Sequence, residues 1–488
     1  MKAFAVRLIG ALTLLLGLAG LAPIARAQNL DTPPQPGAPR PLAIATPIEQ
    51  RLPNGLRVVL AERRGVQLVT AQLVVLSGSE VDPPQRAGLA SMTAGLLTKG
   101  TRRHSATALA QAAESLGGAL DSSAGWHQSE VAITVTLPKL DAALGLVSEV
   151  VQQPVFAQAE LDRLRAQALD ELKVAYSRPG TLAGWAAQRL LFGSGAYGHP
   201  AGGTPASLAR VARVDLLALH AARYRPDNAV LVLAGDLDAA DALRLARRHF
   251  GAWKASSRAA APMPLRSGTA LAQTTAVIDL PASGQAAVIV AAPLPPLGAE
   301  RATAAVMNAV LGGGYSSRLN QEIRIRRGLS YGAGSALDAR PGGGSLRAVV
   351  QTKNESAAEV LGLVQTELDR LAAAPVGADE LAARKATLIG DFSRSVETTA
   401  GLGAAVKALI VAGLPLADLG QRIAALSAVG ADAVQRYAAA HLVAAGRRVV
   451  VAGDAARFAP ALKASAPDLS VVAVDKLDLD LGSALSAP

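Results

Sequence analysis

His220-Ala-Ala-Arg-Tyr-Arg-Pro-Asp-Asn-Ala-Val-Leu-Val-Leu-Ala-Gly-Asp236 reads as the end of a helix, a turn around Pro226 to Asn228, and a strand that is apolar along its length. The same order recurs at Ala438 to Asp454, which closes on Val449-Val-Val-Ala-Gly-Asp454. Two copies of one helix, turn and buried strand mark an internal repeat. Working outward from each copy, the halves share an order. Early β runs fall at Arg57 to Glu62 and Leu68 to Leu76 in the first half and at Ala286 to Ala292 in the second. Helical patterns follow, then a middle strand at Val131 to Leu137 or Ser345 to Gln351, then more helices. The expected fold class is α+β: two homologous domains, each a mainly antiparallel sheet covered by helices on one face, arranged as a clamshell.

The flanking segments set the boundaries. Lys2 and Arg7, the apolar run Leu8 to Leu21 and the small-x-small site Ala25-Arg26-Ala27 describe a signal peptide over residues 1–27. The apolar run is too short for the roughly 20 residues of a spanning helix and is broken by Gly10, Gly17 and Gly20. A Pro-rich lead-in covers 28–47, the first domain 48–253, a Ser/Ala/Pro linker 254–272, and the second domain 273–488. The expected location is outside the cytoplasm, in the periplasm, with no stable membrane anchor after leader removal.

Composition narrows the chemistry. The chain has no cysteine, which removes disulfides, thiolate metal sites and thiol nucleophiles. Aromatic residues make up 3% of it, too few to build stacking platforms for bases, and the net charge of +10 is spread over single arginines. No nucleic-acid partner is expected. The six histidines, His104, His127, His199, His220, His249 and His441, stand singly, without a second ligand at helical spacing.

Several stretches resemble the pitrilysin and mitochondrial-processing-peptidase family, whose members carry an inverted zinc motif. They are Leu52-Pro-Asn-Gly-Leu-Arg-Val-Val-Leu-Ala-Glu62, Gly88-Leu-Ala-Ser-Met-Thr-Ala-Gly-Leu-Leu-Thr-Lys-Gly-Thr101, Tyr197-Gly-His-Pro-Ala-Gly-Gly-Thr204 and Tyr224-Arg-Pro-Asp-Asn-Ala-Val230. The second half adds Leu311-Gly-Gly-Gly-Tyr-Ser-Ser-Arg-Leu-Asn-Gln-Glu-Ile-Arg-Ile-Arg-Arg-Gly-Leu-Ser-Tyr331. In that family His-x-x-Glu-His on one helix binds zinc and activates its water. The resemblance places those positions at Ser91, Ala94 and Gly95, none of which can ligate zinc or act as a base. It places the remaining zinc ligand at Glu171, whose i+7 spacing from Leu164 sets it beside an apolar helix face.

The same resemblance implies that Arg324 and Tyr331 reach over the zinc site of a homologous partner chain. There a phenol donates to a developing oxyanion and a guanidinium anchors the peptide. It also implies that an extended peptide adds to a sheet edge, with Gly312, Gly313 and Gly314, and similarly Gly342 to Gly344, permitting close approach or hinge movement. The expected function is therefore the non-catalytic subunit of an exported zinc metalloendopeptidase, inactive alone. No cofactor is expected in this chain, and zinc is expected in the partner. The rival from another class is a purely structural or peptide-holding subunit. A remote rival is a serine hydrolase built on Gly328-Leu-Ser-Tyr-Gly332, with Ser330 followed by Asp338 and His441. The three arginines before Ser330 and the Pro341 and glycines after it do not suit a nucleophile elbow.

Overall fold

The unalternated run Ala229–Gly235 forms a strand buried at all seven positions, and it lies in the middle of a six-stranded sheet. In this computed structural model, residues 42–254, 265–266, 268–466, 469–480 and 485 are described. The leader 1–27 and most of the lead-in 28–47 fall outside the described residues.

The first half contains strands β1 (Ile48–Arg51), β2 (Arg57–Glu62), β3 (Leu68–Val75), β4 (Asp121–Ala124), β5 (Ser129–Thr136) and β6 (Ala229–Gly235). Its helices are α1 (Leu89–Leu97), α2 (Ala106–Ser115), α3 (Leu140–Gln152), α4 (Gln158–Tyr176), α5 (Pro179–Phe192), α6 (Pro205–Arg210), α7 (Arg213–Arg223) and α8 (Ala239–Phe250). The second half contains β7 (Thr275–Asp279), β8 (Ala286–Leu294), β9 (Ala333–Asp338), β10 (Gly344–Thr352), β11 (Arg448–Gly453) and β12 (Ser470–Ala473). Its helices are α9 (Arg301–Leu311), α10 (Ala357–Ala373), α11 (Ala378–Ser395), α12 (Thr399–Val411), α13 (Asp418–Ser427), α14 (Ala431–His441) and α15 (Ala459–Ser465).

The two sheets run β1-β2-β6-β3-β5-β4 and β12-β7-β11-β8-β10-β9, the same order strand for strand except at one edge. That edge is filled from the beginning of the chain in the first sheet and from its end in the second. β6 runs parallel to β2 and β11 parallel to β7, β12 is parallel to β7, and the remaining pairs are antiparallel. The repeat seen in the sequence is thus a repeat of topology, and the two α+β domains face each other as a clamshell.

One face of the first sheet packs on its own helices, through residues such as Leu60, Leu73, Ile133, Leu144, Leu161 and Leu216. The equivalent face of the second sheet, with Val288, Val290 and Val451, packs on α9, α10 and α14. Contrary to the one-face expectation, the other faces are also buried, each by a helix from the opposite half. α5 lays Leu182, Ala183, Ala186, Ala187, Leu190 and Leu191 on Ile278, Ile289 and Val450 of the second sheet. α12 lies on β3 and β6, where Thr399 Oγ1 meets Thr70 Oγ1 at 2.9 Å and Gly403 sits against Gln72 and Ala234. Lys407 Nζ of α12 closes the arrangement on Glu130 Oε2 of β5 at 2.6 Å. The physical cause is that β6, β8 and β11 are apolar on both faces, so a single helical layer would leave one face wet.

The Tyr197 to Thr204 stretch belongs to this seam. Arg340, buried and held by Asp338, lies with its guanidinium 4.3 Å from the Trp126 ring centroid and 4.6 Å from that of Tyr197. The Tyr197 hydroxyl is 2.6 Å from His127 Nε2 and accepts the Gly342 N–H at 3.2 Å. A Cβ on Gly342 would stand 2.8 Å from that hydroxyl and 1.9 Å from Leu265 Cδ2, so this glycine serves the seam rather than a hinge. Gly344 is fixed in the same way, because its Cβ would meet the Asp338 carbonyl oxygen at 2.3 Å.

Candidate functional site

α1 starts at Gly88, whose φ of +91° suits glycine, and its first amides are met by a carboxyl side chain six residues upstream. Asp82, fully buried, accepts the Gly88 and Ala90 N–H groups at 2.9 Å each. Burial pushes its carboxyl up to about 8 against those two donors, and burial pushes the neighbouring Glu80 up to about 7. Both groups hold protons in the fold that an unfolded chain has released near pH 4. Unfolding therefore releases protons, and stability must fall as pH rises toward 8. His127, pushed down to about 4 by burial, titrates below this window. Between pH of about 6.5 and 8, urea unfolding should show a loss on the order of 1 to 2 kcal/mol. Asp82→Asn with Glu80→Gln should flatten the profile.

The three motif positions lie on α1. Ser91 is half-buried, Ala94 is fully buried, and the Ala94 carbonyl accepts a hydrogen bond from Ser122 Oγ of β4 at 2.8 Å. A Cβ on Gly95 would stand 3.2 Å from Leu164 Cδ2 of α4, so the leucine occupies the direction in which an imidazole would project. Glu171 departs from expectation. It is exposed, and its carboxylate accepts from Gln167 Nε2 at 2.9 Å one helical turn away. The apolar face of α4 runs through Leu161, Leu164, Ala168 and Leu172, and Glu171 falls outside it. Zinc, which the resemblance implies for this helix pair, does not fit: two of the four positions have no donor atom in a side chain, and Glu171 is turned to Gln167. Among the described residues no group of three or more His, Cys, Asp or Glu side chains could hold a metal ion.

The histidines have structural partners: His104 with Glu149, His127 with Tyr197, and His249 with Asp141. His199 and His220 bond to the carbonyls of Pro200 and Val151, and His441 packs on the Tyr437 ring.

Arg324 lies on a π-helical stretch, Asn320–Arg326, a geometry that widens a turn and re-aims the side chains on it. Arg326 and Arg327 both bind Glu322 at 2.9 Å, which makes the arginine cluster an ordinary paired face. Arg324 differs. Its guanidinium lies 5.1 Å from the Tyr315 ring centroid and 4.9 Å from that of Tyr331, and among the described residues no carboxylate pairs with it. Tyr331 is 89% exposed and Tyr315 65%, with Ile325 also exposed beside them. A cation held between two outward-facing phenols keeps its N–H donors free. Sequence reasoning passed over Tyr315. The available signal was an aromatic directly after three glycines in a chain poor in aromatics.

The three glycines have separate roles. Gly312 is buried, and a Cβ there would stand 2.2 Å from Ser335 N, so it allows the end of α9 to meet β9. Gly313 is exposed but would press its Cβ on Ala309 Cα at 2.9 Å, while Gly314 is exposed and open. The hydrolase alternative is ruled out by geometry. Ser330 Oγ lies 2.7 Å from the Gly332 carbonyl oxygen and 2.5 Å from that of Gln351, while Asp338 is bound to Arg340 and His441 is packed on Tyr437.

Two sheet edges remain near these groups. β4, with alternate residues exposed, is an edge of the first sheet and packs beside α1; β9 is an edge of the second and follows Tyr331 in the chain.

Comparison with known proteins bears on the same regions. Residues 57–186 match the insulinase (peptidase family M16) model, and residues 210–388 match the peptidase M16 inactive domain. An uncharacterized zinc protease of Mycobacterium tuberculosis is 30% identical over 360 residues, covering 73% of this chain and 82% of the relative. A structure of a peptidase M16 inactive domain from Pseudomonas fluorescens superposes with a TM-score of 0.78 at 26% identity, covering 84% of this chain and 98% of that one. The first half of the periplasmic protease PqqL of Escherichia coli superposes with a TM-score of 0.68 at 16% identity, covering 86% of this chain and 94% of that half. Against the whole of PqqL the match covers 48% of that protein.

A doubled α+β fold with a peptidase helix pair stripped of its ligands defines the class, a peptidase-related subunit. The chain belongs to the insulinase family of peptidases, family M16.

Proposed function

We propose that this chain is the non-catalytic half of an exported zinc metallopeptidase, holding extended peptides and presenting Arg324 and Tyr331 to the active site of a homologous zinc-bearing partner. The observation that carries this reading is the exposed Tyr315, Arg324 and Tyr331 cluster, a guanidinium without a carboxylate between two solvent-facing phenols. Unlike its neighbours Arg326 and Arg327, which share Glu322, Arg324 is left to the two rings. The Tyr331 hydroxyl is free to donate to the oxygen of a scissile carbonyl as negative charge grows there. Arg324, steadied by the two rings, can bond a peptide carbonyl or the same developing charge. β4 and β9 offer unpaired main-chain groups to an extended peptide.

Similarity to one half of a two-part peptidase supports a homologous partner, and PqqL's description as periplasmic supports export. Among the described residues no helix is long and apolar enough to cross a membrane. Purified alone, the chain is expected to bind no zinc and cleave no peptide. Mixed with a co-exported relative carrying intact His-x-x-Glu-His, it is expected to raise endopeptidase turnover well above that of the relative alone. Zinc-dependent cleavage by the isolated chain would overturn the assignment.

A further inference from the structure

β10 sends Leu346, Ala348 and Val350 into the core of the second half. The residues between them, Arg347, Val349 and Gln351, turn to the other face, the one on which α5 lies. α5 covers the middle of that face, on β8 and β11, and leaves the margin formed by β10 and β9 open, where Gln351 and Ala336 are exposed. Arg347 passes the helix at Gly184, where a Cβ would stand 3.7 Å from Nη1.

Arg347 is half-buried, its Nε is shut away from solvent without an acceptor, and among the described residues it forms no hydrogen bond or ion pair. That sets it apart. Arg189, Arg340, Arg384 and Arg448 also bury a nitrogen without a partner, yet each gives another N–H to a protein oxygen. A partly dehydrated guanidinium with all its donors unused is costly, and a carboxylate is the group its planar fork fits. We propose that Arg347 sets a substrate preference, taking the carboxylate of a glutamate side chain on an extended peptide paired to β9. The inference rests on the peptide-holding function proposed above.

The register supports this. Arg347 stands opposite Ala336 of β9, and β9 is the edge of its sheet. The neighbours of Ala336 on the same face of β9 are Gly334, which has no side chain, and Asp338, which is held by Arg340. No β9 side chain therefore stands between Arg347 and a strand added outside the edge. Side chains alternate along a strand, so the peptide residue opposite Ala336 points to the face of Arg347. Two strand spacings, about 10 Å, separate the two backbones, a gap that an arginine and a glutamate span by reaching toward each other. Aspartate is one methylene shorter, and a lysine there would meet a like charge.

Fluorescence anisotropy of the purified full chain tests this, with two labelled, amidated extended peptides that differ only by Glu or Gln at the central position. The Glu peptide should bind about tenfold more tightly, the worth of one charge-assisted pair, and the margin should shrink at high salt. Arg347→Gln should equalise the two peptides, and Arg347→Glu should turn the preference to a Lys peptide. Ala336→Glu, at an exposed position, should also equalise them by giving Arg347 a partner within the sheet while leaving the arginine in place. Equal affinities in the unaltered chain, or a Glu preference that survives Arg347→Gln and Ala336→Glu, would overturn the inference and leave peptide holding intact. A Gln peptide with a free C-terminal acid that matches the Glu peptide, and loses that affinity in Arg347→Gln, would overturn it in favour of a chain-end site. Saturable binding of neither peptide would overturn the peptide-holding function and this inference together.

Discussion

Tyr331→Phe is expected to lower the kcat of the assembled peptidase about 100-fold, with KM little changed. The substitution removes one oxygen and nothing else. The phenylalanine ring can still pack on Arg324, so the arginine stays where the two rings hold it. Because Tyr331 is 89% exposed, folding of this chain does not depend on its hydroxyl, and thermal unfolding should be unaltered. A donor that acts only as charge develops on the carbonyl lowers kcat and kcat/KM together, whereas a residue that merely holds substrate raises KM. Arg324→Ala should lose at least as much, because it frees both tyrosines as well as removing the cation. Arg324→Lys should not rescue it, since an ammonium lacks the planar fork that stacks between two rings. Steady-state kinetics with the partner held constant provide the measurement. An unchanged kcat in Tyr331→Phe would remove the catalytic contribution and leave a peptide-holding subunit.

The second large effect concerns the fold. Produced separately, residues 48–253 and 273–488 are expected to aggregate, and to become soluble when produced together. Alone, the second half would expose Ile278, Ile289 and Val450, which α5 covers in the whole chain. The first half would expose α5 itself, along with the face of β3 and β6 that α12 covers. Contiguous apolar faces of this kind drive association. In the intact chain, Ala187→Glu would place a carboxylate at a fully buried position in the seam. It should cost on the order of 4 kcal/mol, read as a lower denaturant midpoint. Two independent transitions, one per half, would show that the exchanged helices do not couple the domains.

Legibility differed among these features for physical reasons. The strands of each half were readable because β-branched and apolar runs between turn residues are a local signal: Arg57–Glu62 is the strand expected, β8 extends two residues further, and β10 one residue at each end. The run Ala229–Gly235 also held the clue to a second covering layer, since a strand facing water on one side would alternate. Which helix supplied that layer was not readable. α5 and α12 have small-residue faces without strong amphipathic contrast, and a helix pattern does not record whether it packs on its own half or on the other. At the site, the loss of metal donors at Ser91, Ala94 and Gly95 was plain because side-chain chemistry is a property of the residue. The position of Glu171 was misjudged because one i+7 spacing underdetermines a helix face when the helix bears apolar residues over a broad arc.

The sequence by itself therefore determined the doubling of an α+β unit and the absence of a zinc-binding triplet, since both depend on residue identity and local period. Tertiary structure alone decided that the halves exchange α5 and α12, that Tyr315 joins Arg324 and Tyr331, that Gly312 packs a helix end, and that Arg347 has no partner among the described residues beside the β9 edge. Each of these depends on which surfaces meet, and that is settled by the burial of faces from residues far apart in the chain.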